Sequence, residues 1–359
     1  MKLTPLSLTV GIAISMSAQD HAAIASPDSI KFELNAQDKS SLMYQTITGD
    51  KTRTIFATGV IDDNAPVRLL NLIRKNNIPA GSQVELDSPG GNLMAGIKLG
   101  QIIRSFGFNT DIARFDRATG HAASPGECFS ACTLAFLGGR WRFITHGSEY
   151  GVHRFYFSKP AGTDSDVAQM ISAAVVQYIR DMGADPELFS AMTVAGKENI
   201  ALIPEKELKR LNVINDGQTP TVWSVESTNG LLYLKGQRDT AFGINKFLLA
   251  CTSEGVDLTV VMSPLPNDPL PPTTAVSLVT DDKRYPLEDH IAKAPELNNG
   301  SVFTSFILPP DLVQAMQIAH KVGIEFQFVR DAPTFAGFLD MDFDDGANKM
   351  SGVLRGCIP

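Results

Sequence analysis

The sequence predicts an α/β domain followed by a smaller β-rich domain, and three observations carry that reading. Strand-like runs alternate with segments of helical period between residues 54 and 145, which implies parallel strands joined by crossover helices. A turn-rich break, Asn215-Asp-Gly-Gln-Thr-Pro220, follows, and beyond it the apolar period shifts towards two. The chain has 359 residues, more than one apolar core usually serves, and with 43% hydrophobic and 19% charged residues it reads as globular.

The elements follow in order. Lys2, an apolar run from Leu6 to Met16 and the A-x-A site Ala23-Ile24-Ala25 make residues 1–25 a secretory signal peptide, so the mature chain is expected to start near Ser26 and to be exported. The run is too short to span a bilayer. Residues 26–51 are polar and mixed, an N-terminal arm or an edge strand. Strands are expected at 55–61, 83–87, 109–113 and 142–145, and helices at 65–76, 93–106 and 132–137. Longer helical patterns cover 164–182 and 204–211. The expected units are 52–217 and 218–359, the second with strands at 223–227, 231–235, 256–262 and 276–279 and one helix within 309–322.

Composition removes several functions. A net charge of −8 without a basic run excludes general binding to nucleic-acid backbones. Neither phosphate-loop spacing is present. No His or second cysteine pair stands at ligand spacing around the cysteines, so no metal and no cofactor is expected. Four cysteines allow three pairings in an exported chain. Cys251 with Cys357 is preferred because the pair brackets the second half of the chain. Cys128 and Cys132, at i and i+4, would share a helix face at the far end of the Cα separation that a disulfide tolerates.

Three segments have the residue types of acyl-transfer chemistry. In Asp87-Ser-Pro-Gly-Gly-Asn92 a strand ends in two glycines whose N–H groups face outward with no Cβ in the way, as an oxyanion hole requires; the same turn also serves as a plain connection. Ser130 opens an apolar helix, where the dipole favours an alkoxide, although serine is also a common cap. Cys128 and Cys132 rank below it because export favours their oxidation. His153 follows a strand and a glycine and is the candidate base, with His121 and His146 as rivals. Lys98 is the lysine nearest the glycine loop, but its helical spacing points it away.

Taken together, residues 54–63, 86–96, the Ser130 segment, Gly151-Val-His153 and 203–216 resemble the Clp protease proteolytic subunit and its relatives in the ClpP/crotonase superfamily, more closely the exported periplasmic ClpP-like proteins of Gram-negative bacteria. The resemblance covers about residues 52–217 and implies a ββα spiral core. It also implies Ser130 as nucleophile, His153 as base, and oxyanion donors from Gly90 or Gly91 together with Ala131. Where the family has an aspartate as third member, this chain has Gly196-Lys-Glu-Asn-Ile200, which leaves Glu198 or Asn199 to orient the imidazole. The implied protein is an exported, periplasmic serine hydrolase, a peptidase acting on peptides or proteins, with a homo-oligomer among its expectations. No ATPase partner is expected, because the periplasm offers no ATP. The alternative is a binding or scaffold protein that keeps the fold without the catalysis, a reading that a Cys128–Cys132 bridge across the nucleophile would favour.

The second domain suggests partner binding or control of access. Asp340-Met-Asp-Phe-Asp-Asp-Gly346 resembles a calcium-loop opening, but its glycine falls late and Ser351 stands where a closing Glu belongs. Its alternation reads instead as an edge strand with aspartates on the wet face.

Overall fold

The computed structural model describes residues 29–35, 51–116, 121–154, 164–196, 199–264, 270–355 and 357. The expected signal peptide, most of the N-terminal arm, and Glu198 lie outside the described residues.

Within the first domain β1 (Lys31–Leu34) is an edge strand, antiparallel to β2 (Thr54–Thr58). Helix α1 (Ala65–Asn76) starts with Pro66 in its first turn, where the missing N–H costs nothing, and leads to β3 (Gln83–Asp87). Helix α2 (Leu93–Ser105) is capped by Asn92, whose side chain accepts from the Ala95 N–H at 2.8 Å, and leads to β4 (Asn109–Asp116). β5 (His121–Pro125) folds back antiparallel, closing a five-stranded sheet of order β1-β2-β3-β4-β5. The three central strands are parallel, as their alternation with helices requires. Ile55, Ala57, Val84, Leu86 and Ile112 are buried in one core with Leu69 and Ile73 of α1 and Leu99 and Ile103 of α2.

A smaller sheet, β6 (Glu127–Phe129), β7 (Glu149–Val152) and β8 (Ala201–Leu202), carries the candidate residues. Helix α3 (Ala131–Leu137) connects β6 to the parallel β7. The strand expected at 142–145 does not form; that segment makes one isolated bridge, Thr110 with Arg142, and the next strand is β7. The reason is the fully buried Arg142. Its guanidinium donates to the carbonyls of Val213 (2.7 Å), Asn212 (2.6 Å), Gly139 (3.1 Å) and Met182 (3.1 Å), contacts a regular strand residue would not make. Helices α4 (Asp164–Asp181), α5 (Glu187–Val194) and α6 (Glu205–Arg210) complete the domain, and α5 is the one the apolar spacing does not announce. Arg104 of α2 donates to the carbonyls of Leu137, Gly138, Gly139 and Met182, so two guanidinium groups satisfy the C-terminal ends of α3 and α4.

The second part holds a separate apolar core made of residues between Trp223 and Leu354. β9 (Val222–Thr228), β10 (Leu231–Thr240), β11 (Gly243–Thr252), β12 (Gly255–Met262), β15 (Ile291–Asn298) and β16 (Ser301–Leu308) form an antiparallel sheet of order β15-β16-β12-β11-β10-β9. β13 (Ala275–Thr280), β14 (Lys283–Pro286), β17 (Lys321–Gln327) and β18 (Ala336–Asp342) form a second, of order β14-β13-β17-β18. Leu258 and Phe306 of the first sheet share the core with Leu278, Ile324 and Phe326 of the second. Helices α7 (Pro310–Gln317) and α8 (Asp344–Val353) are the only α-helices among the described residues of this part. Cys357, just after α8, is bonded to Cys251 of β11. β18 is an edge strand with Asp340 and Asp342 exposed and Met341 buried.

Candidate functional site

Ser130 stands at the point where β6 becomes α3, with φ 54° and ψ −122°. A non-glycine residue held there costs about 1–3 kcal/mol, so its surroundings must impose it. They do so through the backbone. The Ser130 N–H donates to the Gly151 carbonyl of β7 at 2.9 Å, and the Phe129 N–H to the Ser88 carbonyl at 3.0 Å. The Thr133 N–H takes the Ser130 carbonyl at 3.0 Å. A serine on a sharp strand-to-helix turn of this kind presents its Oγ away from the core, the arrangement of a nucleophile elbow. Ser130 is half-buried and its hydroxyl makes no hydrogen bond among the described residues.

The glycine loop after β3 lies against this elbow. Gly90 (φ 96°) and Gly91 (φ 138°) occupy backbone that favours glycine, and a Cβ on Gly90 would stand 2.6 Å from the Phe129 carbonyl and 3.0 Å from the Ala131 nitrogen. The Gly90 N–H is taken: it donates to Ser88 Oγ at 3.1 Å. The N–H groups of Gly91 and Ala131 have no acceptor among the described residues, Ala131 because the first turn of a helix has none to offer. Ser88 was not singled out in the sequence, yet it is buried, bridges Cys128 and accepts from Gly90; its place directly before Pro-Gly-Gly was the available signal.

His153 leaves β7 at the same end at which Ser130 leaves β6. Phe129 is paired with Gly151, so the two side chains lie one and two residues past a common register position on neighbouring parallel strands. His153 is half-buried, with Nδ1 2.9 Å from the Arg154 carbonyl. A carbonyl only accepts, so Nδ1 is the donor in this contact. β8 runs antiparallel to β7, with Val152 opposite Ala201. The Arg154 N–H donates to the Ala195 carbonyl at 3.1 Å and its guanidinium to the Thr193 carbonyl. Asn199 is exposed.

The remaining candidates separate cleanly. Cys128 and Cys132 are bonded to each other and fully buried, which removes them as nucleophiles. They do not share a helix face: the chain turns between them at Ser130, which brings their Cα atoms to 5.2 Å, closer than the roughly 6 Å that separates i and i+4 along a helix. Lys98 is exposed on α2, whose Gly96 and Gly100 face α3; a Cβ on Gly96 would come within 2.4 Å of the Ala131 carbonyl. Glu85 of β3 pairs in register with Asp111 of β4. Burial, reinforced by the Asp111 charge, pushes the Glu85 carboxyl up to about 8, and Glu85 Oε2 has no hydrogen-bond partner among the described residues. A cavity of about 780 Å³ lies in the β-rich part, beneath α7 between Val256, Ile291, Ile307 and Val313, with no lining residue from the first domain. Among the described residues no three His, Cys, Asp or Glu side chains converge as a metal site would require.

No protein family matches the chain, and no curated protein is similar to it. Among solved structures, a mutant of the 1510-N membrane-bound stomatin-specific protease is similar over 45% of this chain and 75% of that one, with 17% sequence identity and a TM-score of 0.33.

Proposed function

We propose that this protein is a serine hydrolase of the ClpP-like kind, exported and acting as a peptidase on peptides or proteins outside the cytoplasm. The observation that carries the reading is the backbone of Ser130, a costly conformation at a strand-to-helix elbow against which the backbone of Gly90 lies. In the proposed reaction Ser130 Oγ attacks the acyl carbon while His153 Nε2 takes the hydroxyl proton. The developing oxyanion accepts from the Gly91 and Ala131 N–H groups, and His153 returns the proton to the leaving amine. Water, activated by the same imidazole, then releases the acyl group and restores Ser130. The Nδ1 contact with the Arg154 carbonyl supplies part of the orientation that a triad's third member provides, with Asn199 or Glu198 as the side chains to complete it.

Two disulfides support an oxidising compartment, and no helix among the described residues is long and apolar enough to cross a membrane. A homo-oligomer and the absence of an ATPase partner belong to the same reading.

The scaffold reading has one observation in its favour, the bridge between residues on either side of Ser130. Both cysteines belong to the buried core, whereas Ser130 is partly exposed, so the bridge lies beneath the elbow and leaves the hydroxyl open. Labelling of the mature protein with a fluorophosphonate decides between the two. Hydrolase chemistry requires labelling that is lost in Ser130→Ala and reduced at least 100-fold in His153→Ala; a folded protein that does not label is a scaffold.

A further inference from the structure

Four hydrogen bonds hold Ser130 in its unusual backbone: its N–H donates to Gly151, its carbonyl accepts from the Thr133 N–H and the Thr133 hydroxyl, and the Phe129 N–H donates to Ser88. The fifth link is covalent. Cys128 lies on β6 and Cys132 in the first turn of α3, so their bond closes a five-residue ring with Ser130 at its midpoint. Both cysteines are buried in the main core, and the backbone of Gly90 lies against the elbow, where an added Cβ would stand 2.6 Å from the Phe129 carbonyl and 2.7 Å from Ser130 Cβ. A serine that precedes a helix ordinarily takes an extended conformation and caps the first turn with its own hydroxyl. Ser130 makes no such cap. Without the ring, nothing covalent prevents the chain from relaxing to that cap, which would turn the hydroxyl inward onto the helix and shift the Ala131 N–H.

We infer that the Cys128–Cys132 disulfide is a positioning staple for Ser130, which makes the reactivity of this serine depend on the oxidation state of the pair. The inference rests on the hydrolase reading for its effect on reactivity, but not for its effect on the elbow. Conversion is a two-electron step. A dithiol reductant attacks one sulfur to form a mixed disulfide, its second thiol displaces the cysteine, and the reductant's two electrons and two protons end on the Cys128 and Cys132 thiols while the reductant leaves as its own disulfide. Because both sulfurs are fully buried, that attack needs the elbow to open, so the staple is expected to be kept under mild reductant and lost only when the local structure loosens.

The test compares the oxidised full chain with the Cys128→Ala/Cys132→Ala variant, and uses Cys251→Ala/Cys357→Ala as the control that lacks the remote disulfide. Two quantities are read on each: the second-order rate of fluorophosphonate labelling, and amide hydrogen exchange of the peptide covering residues 127–137. Loss of the staple is expected to slow labelling at least 30-fold and to raise exchange across 129–133. The circular dichroism spectrum should stay unchanged, and the control should match the wild type in labelling. Equal labelling with equal exchange in wild type and staple variant overturns the inference and leaves the hydrolase reading standing. An oxidised wild type that does not label overturns the hydrolase reading; exchange across 129–133 then still judges the staple, because unchanged exchange sinks it without reference to catalysis. Should the double alanine variant fail to fold, Cys128→Ser/Cys132→Ser and reversible reduction of the wild type, followed by recovery of labelling on reoxidation, replace it.

Discussion

The N–H of Ser130 donates to the carbonyl of Gly151 at 2.9 Å, which hangs the candidate nucleophile from the strand that ends at Val152, directly before His153. This one bond couples two residues that are remote in sequence. It also makes the geometry of the elbow depend on everything that keeps β6 and β7 in register.

Gly90→Ala tests that dependence from the other side. The new methyl group would meet the Phe129 carbonyl at 2.6 Å on a backbone with φ 96°, so the loop has to move away from Ala131. Displacement of about 1 Å at a reacting centre costs on the order of 100-fold. Fluorophosphonate labelling is expected to fall by about that factor while the protein remains folded; unchanged labelling would show that the loop does not shape the site.

Arg142→Met removes the donor to the Val213 and Asn212 carbonyls, those of Gly139 and Met182 keeping Arg104, and replaces it with a side chain of similar length. Burial already pushes this guanidinium down to about 10, so it stays charged at neutral pH. Carbonyls left without partners cost about 1–3 kcal/mol each when buried, so two of them imply a loss of about 2–6 kcal/mol in the urea stability of the first core. The denaturation midpoint of the β-rich domain, followed by Trp223 fluorescence, should move much less, because the two cores are separate.

Glu85 gives the pH dependence. Burial, then the neighbouring Asp111 charge, raises it from an ordinary value of 4.5 to about 8, and Asp111 is itself raised by burial. Between these limits the folded protein holds a proton that the unfolded chain releases, so stability falls as pH rises from about 4.5 to about 8. Glu85→Gln removes that slope. Relative to the wild type, the variant is expected to gain on the order of 2–4 kcal/mol between pH 5 and pH 8, measured by urea denaturation at both values. A constant difference would place the proton elsewhere.

Cys251→Ala/Cys357→Ala opens a ring whose ends are 106 residues apart. Freeing so long a loop in the unfolded chain is expected to cost about 2–5 kcal/mol. The loss should appear in the thermal transition of the β-rich domain alone, with Ser130 labelling retained, and calorimetry of the two transitions checks it.

Much of the first domain was legible because its elements are local. The helix at 65–76 and the strand at 83–87 lie where apolar period and turn residues put them, since each is set by side chains within one or two turns of each other. The order of Gly90, Ser130 and His153 was likewise visible as a pattern of residue types. The strand expected at 142–145 failed because Arg142, a charged residue in a strand-like run, is consumed by carbonyls from residues 139, 182, 212 and 213. No local period encodes contacts at such separations.

What the sequence by itself determined is the set of chemical groups and their order along the chain: a glycine pair after a strand, a serine at a helix start, a histidine after the next strand, and four cysteines to pair. Only the tertiary structure decided which of them meet. It gave the Gly90 N–H to Ser88 Oγ, hung the strained elbow at Ser130 from Gly151, and joined Cys128 to Cys132 within the buried core. The physical reason is that a backbone N–H or a thiol is the same group in every context. Its availability depends on the neighbour it finds, and here each neighbour comes from another strand or from the far side of a turn.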